Sequence, residues 1–172
     1  MAADSNAQPY DVSGLVATLG DSNGIARQHA RQALVEIGQP AVPALSAALA
    51  SPHEQVRWEA AKTLSEIAAP ESAPGLVLAL EDRDFSVRWL AAEGLVAIGH
   101  GSIQPLLEVL VERGDHQWLR EGAHHVLKVL SKRGSYEAIA PVLAALEGLE
   151  PELVVPPAAK AALKTLTSSS LG

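Results

Sequence analysis

The chain has 172 residues, 48% of them hydrophobic but only 3% aromatic, so its apolar mass is Ala, Leu and Val, which suit close helix packing. The absence of cysteine excludes disulfides, thiolate metal centres and a cysteine nucleophile. Its 13 Lys and Arg stand against 20 Asp and Glu, a net charge of −7, which argues against nucleic acid as a partner because phosphate backbones require clustered base.

Residues 1–10 are small and polar and are expected to form a disordered tail. The start lacks a basic region followed by a long apolar run, and no stretch approaches the roughly twenty apolar residues of a membrane span; a cytoplasmic protein without membrane contact is expected. Leu15 and Leu19 begin an N-terminal half-repeat. The segments "ARQHARQAL", "VRWEAAKTL", "VRWLAAEGL" and "LREGAHHVL" then end at Leu34, Leu64, Leu95 and Leu127, at steps of 30, 31 and 32 residues. Each is followed by a Gly- or Pro-marked turn and a second apolar stretch, such as "VEIGQPAVPALSAAL". Gly38 and Gly99 suit the left-handed turn that ends a first helix, and Pro40 and Pro70 block its continuation. A weaker copy, "VPPAAKAAL", ends at Leu163 after a connection "LEGLEPELVVPP"; its helix is expected to cap the array, followed by a loose tail at 167–172.

At 100° per residue, Val56, Ala60, Leu64 and Ile67 fall on one stripe of the first helix, opposite Glu59, Lys62 and Glu66. In the second helices the inward set recurs as Val42, Leu45 and Leu49, then Ala73, Leu76 and Leu80, then Ile103, Leu106 and Leu110. One such pair cannot bury both its faces alone, so the pairs stack. The fold class is therefore all-α: a right-handed α-solenoid of four to five stacked helix pairs, forming a single domain over residues 11–166.

The pattern of Val-Arg, two residues, Ala-Ala, two residues, Leu, then Ile-Gly resembles the HEAT repeat, and more narrowly the short HEAT-like repeat of phycobilisome (PBS) lyases. The resemblance implies structural roles for Arg27, Arg57, Arg88 and Arg120, bonded to acids and backbone near the preceding turn, with Asp21, Asp82, Asp84 and Asp115 as candidate partners. It also implies a protein partner, and as a second reading a lyase-like or chaperone-like role on a tetrapyrrole-bearing subunit, with bilin as a possible ligand. The HEAT-repeat deoxyhypusine hydroxylases carry His-Glu pairs directly after the repeat arginine; none stands there in this chain, which removes that di-iron chemistry.

The favoured function is a non-catalytic scaffold or adaptor with no catalytic residues and no cofactor, binding another protein on the concave second-helix face. Ala17, Ala47, Leu78, Glu108 and Ala144 are the outward positions, flanked by Val77, Leu107 and Leu143; they form either an apolar groove or a seam of close packing. Trp58 and Trp89 occupy one position of successive repeats, where adjacent indoles either anchor a partner or cover the seam. Glu121, His124 and His125, with His116 one loop away, form the only metal-like constellation. His124 aligns with Ala61 and Ala92 and is expected to be a packed core histidine instead, with His125 solvated.

Overall fold

The computed structural model describes residues 11–134 and 137–169. The expected tail at 1–10 lies outside the described residues. Among them, every regular element is helical: α1 (Val12–Thr18), α2 (Gly24–Ile37), α3 (Val42–Ala48), α4 (Glu54–Ile67), α5 (Ala73–Ala79), α6 (Phe85–Ile98), α7 (Ile103–Arg113), α8 (Gln117–Arg133), α9 (Ala140–Glu147) and α10 (Pro151–Ser169), with short 3-10 turns joining each first helix to its second.

The first helices α2, α4, α6 and α8 stack side by side in one layer, and the second helices α1, α3, α5 and α7 in the other. The inward stripes meet between the layers: Leu34, Leu64, Leu95 and Leu127 are fully buried, as are Leu45, Leu76 and Leu106. At roughly 25 cal/mol per Å² of apolar area, each such leucine contributes about 2 kcal/mol or more. The result is the expected α-solenoid.

Local chemistry sets the helix ends. Asn23 and Asp84 cap α2 and α6 by accepting two backbone N–H groups each. The Ser86 hydroxyl also donates to Asp84, and this bond, ahead of the backbone ones, holds the Asp84 carboxyl below its ordinary range. At the other end Gly38 and Gly99 take φ of 71° and 72°, the positive values glycine permits. Ala68 fills the same repeat position with φ 49°, a strained choice for a residue with a Cβ. The break at Gly99 also divides the apolar run Phe85–Arg113, whose most apolar window has a mean hydropathy of 1.4, into two packed helices.

First helices have neighbours on both sides, so residues beside the main stripe are buried too. Glu59, expected opposite that stripe, is buried against α2, where it accepts from Arg27 Nε (3.1 Å) and Arg31 Nη1 (2.6 Å). The α4–α6 contact is close because it is lined by small residues; a Cβ on Gly94 would fall 2.9 Å from Leu76 Cδ1 and 3.3 Å from Ser65 Cα.

The C-terminal end departs from the expected order. The connection and final helix read from "LEGLEPELVVPPAAKAALKTL" are largely one helix, α10, beginning at Pro151 and running through Pro156 and Pro157 to Ser169. It therefore includes the first three residues, 167–169, of the expected loose tail. Those two prolines deprive the carbonyls of Glu152 and Leu153 of helical donors, but both residues are exposed, so water can serve those oxygens. Instead of extending the first-helix layer beside α8, α10 packs on α7 and α9. Pro156 lies against Gly114 at the end of α7, while Leu166 and Thr167 lie with Gln104 and Pro105 near its start, so α10 runs antiparallel to α7. Val155, Ala159 and Ala162, at helical spacing, form its buried stripe.

Candidate functional site

The four repeat arginines share one construction. Each sends Nη1 to the two carbonyls six and five residues earlier: Arg27 to Asp21 and Ser22, Arg57 to Ser51 and Pro52, Arg88 to Asp82 and Arg83, Arg120 to Gly114 and Asp115. This pins each first helix to the loop before it. Of the four acids expected as side-chain partners, only Asp82 serves: it binds Arg57 through both oxygens (2.6 and 3.1 Å), and that hydrogen bond raises the Arg57 pKa above its ordinary value. Asp21 and Asp115 contribute backbone carbonyls, and Asp84 is the α6 cap. Arg27 turns its Nε to Glu59 instead.

Arg88 differs again. Its guanidinium lies over the Trp118 ring, 4.3 Å from the centroid, with the Phe85 ring 5.6 Å away. Trp89 lies 5.1 Å from the His125 ring at 46°, and His116 meets Trp118 edge-on at 5.7 Å. Phe85, Trp89 and Trp118 are 68%, 48% and 37% exposed. Together with Arg88, Ala92, Glu121, Gly122 and His125 they line a shallow cleft between α6 and α8. Three of the six aromatic residues of the whole chain thus show their rings to solvent in one place.

The expected Trp58–Trp89 pair does not form among the described residues. Trp58 lines a separate depression with Arg27, Arg31 and Glu59, while Trp89 faces the following repeat through His125. Trp58 thus lies beside the α2–α4 seam and Trp89 at the α6–α8 seam.

On the second-helix face the outward positions Ala17, Ala47, Leu78, Glu108 and Ala144 are all exposed, with Leu78 at 55%. Leu143 is half-buried. Val77 and Leu107, expected as groove flanks, are both fully buried, which corrects that reading. The flanking positions of α5 and α7 point toward neighbouring second helices, and at α7 that neighbour is α10. Leu78 itself lines a depression between α3 and α5 with Ser46, Leu49, Gly75 and Glu81.

The metal-like constellation separates. His124 Nε2 donates to Glu147 of α9 (2.9 Å), His125 Nε2 to Glu93 of α6 (2.9 Å), and Glu121 accepts from Gln117 (2.9 Å). No group of three metal-ligating side chains occurs among the described residues. His124 is half-buried, not the packed core residue expected from Ala61 and Ala92, because among the described residues no further first helix covers the far face of α8. That face carries Glu121, His124, Lys128 and Ser131, polar enough to meet water. Glu147 gathers His124 and then Lys128, and these hydrogen bonds push its pKa down to about 2.

Residue types alone gave little notice of Phe85 and Trp118 as cleft walls, since they sit at the first turns of successive first helices. The signal was in the repeat alignment. Gly122 and Gly114 stand where earlier repeats carry Glu59 and Asp82.

A family model of HEAT repeats matches residues 12–95 and, in a second register, 43–128. No curated protein matches the chain. Among solved structures, an engineered protein is similar at 22% identity, over 93% of this chain and 81% of that one, with a TM-score of 0.41.

Proposed function

The chain belongs to the HEAT-repeat family, and from that premise we propose that it is a non-catalytic protein-binding module whose main contact surface is the aromatic cleft between α6 and α8. One observation carries the reading: Phe85, Trp89 and Trp118 are exposed together on a chain that is otherwise poor in aromatics. Exposed large aromatic side chains grouped beside an arginine are the composition of interface hot spots, where rigid rings bring large contact area at small entropic cost. The cleft walls are held by helix packing and by Arg88, so binding there needs little reordering. Leu78 and Glu108 on the second-helix face form a second, smaller contact.

Capture of host proteins on immobilised wild type, Trp89→Ser and Leu78→Asp tests this. A partner held by wild type and Leu78→Asp but lost by Trp89→Ser supports the cleft; the opposite pattern moves the contact to the second-helix face. Visible absorbance that appears on mixing with a bilin and is lost in Trp89→Ser would favour the lyase-like or chaperone-like role on a tetrapyrrole-bearing subunit.

A further inference from the structure

Each repeat arginine has two edges. The Nη1 edge is always bound to loop carbonyls; in the first two repeats the Nε/Nη2 edge meets an acid of the next repeat. In the first repeat that edge meets the Glu59 carboxylate, 3.1 Å from Arg27 Nε, and in the second it meets both oxygens of Asp82. In the third, both positions that supply those acids are glycine: Gly122 aligns with Glu59, and Gly114 with Asp82. Among the described residues, neither Nε nor Nη2 of Arg88 has an acceptor, and the guanidinium instead lies over the Trp118 ring with the Phe85 ring 5.6 Å away. Stacking occupies the faces of the ion and leaves its in-plane donors for an in-plane acceptor.

We infer that the cleft holds a carboxylate supplied by the partner: an Asp or Glu side chain next to an aromatic or aliphatic residue, the acid on the open edge of Arg88 and the apolar neighbour against Trp89 and Trp118. This rests on the reading of the cleft as the partner's contact surface. The lattice itself shows what the edge binds, since two of its three equivalents bind an acid within the chain. Both glycines are closely packed. A Cβ on Gly122 would fall 2.7 Å from Leu80 Cδ2, and one on Gly114 2.6 Å from the Leu110 carbonyl oxygen. The one acid that lines the cleft, Glu121, accepts instead from Gln117 (2.9 Å), so the edge is left without an internal carboxylate. The net charge of −7 opposes anions at long range, but salt screens it beyond about 8 Å, and a bidentate Arg–carboxylate pair is decided at contact.

The three indole N–H signals in an NMR titration read this directly, with Trp58, in its separate depression, as the internal control. The probes are 3-phenylpropanoate, its amide and 3-phenylpropylammonium. The carboxylate is expected to move the Trp118 and Trp89 signals, saturating on the order of millimolar as suits a fragment, with Trp58 unmoved and the amide and ammonium inert. Arg88→Gln and Arg88→Lys, each checked for helicity, should weaken that response at least about tenfold; Lys retains a donor for the loop carbonyls but lacks the second edge. Equal response to the amide, a stronger response to the ammonium, full binding by Arg88→Lys, or no response to any probe would each overturn the carboxylate site. None of these outcomes touches the capture experiment, which fails only if Trp89→Ser keeps the partner.

Discussion

Arg57 and Asp82 meet edge to edge across two repeats, Nε to Oδ2 at 2.6 Å and Nη2 to Oδ1 at 3.1 Å, with both side chains less than a tenth exposed. The same arginine clamps the loop before its own helix, so one side chain fixes both intra-repeat and inter-repeat geometry. Arg57→Ala leaves a buried carboxylate unpaired and should cost about 3–5 kcal/mol. Arg88→Ala removes a stacked ion with no carboxylate partner and should cost only about 1–2 kcal/mol. Denaturant unfolding of the two variants gives the comparison.

Ala68 sits at φ 49°, where the corresponding residues of the neighbouring repeats are glycines with φ near 70°. Ala68→Gly relieves the left-handed strain, less the extra entropy of glycine in the unfolded chain. A gain of about 0.5–1 kcal/mol is expected, read as a raised midpoint in thermal unfolding.

The second-helix face gives a pair of opposed outcomes. Leu78→Asp adds a charge to a side chain already in water and should change stability by less than about 0.5 kcal/mol. Leu107→Asp buries an unpaired carboxylate beneath α10 and should cost more than about 3 kcal/mol. Circular dichroism melts of both variants test whether the two leucines differ as their burial requires.

Val155 anchors α10 in its antiparallel seat on α7. Val155→Asp should release that helix first, with a loss of about 3 kcal/mol or more. Amide exchange would then accelerate in α7 and α10 while α2 and α4 keep their protection.

Glu147 gives a pH dependence of known sign. Its folded pKa is depressed, from 4.5 to about 2, so its contribution is present above 4.5 and is lost as pH falls toward 2. The difference in melting temperature between wild type and Glu147→Gln should shrink over that interval. The group is exposed, so the effect is small and should fade in high salt.

The parts of the fold that depend on short-range regularity could be read from the chain. The four arginines, the turn glycines Gly38 and Gly99, and the outward positions from Ala17 to Ala144 all follow from a repeat near thirty residues and the period of a helix. What could not be read depends on which element covers which face. Leu107 has the same pattern whether α10 lies on α7 or beside α8, and Pro156 and Pro157 resemble a connection until the exposure of the carbonyls behind them is known. His124 inherits a core position by alignment, yet loses its cover because the stack of first helices stops at α8. The cleft was hidden for a related reason: its walls belong to different repeats, and its opening is written in two glycines whose meaning appears only beside Glu59 and Asp82.

The reversed lie of α10 also limits how this chain can lengthen. A further repeat would have to set its first helix on the polar far face of α8 and its second helix where α10 already lies. Duplication after α9 would therefore require a new seam and eviction of the terminal helix, whereas a helix pair inserted ahead of α7 meets the surfaces its neighbours already use. A pair inserted there leaves the contact of α10 with α7 and α9 in place.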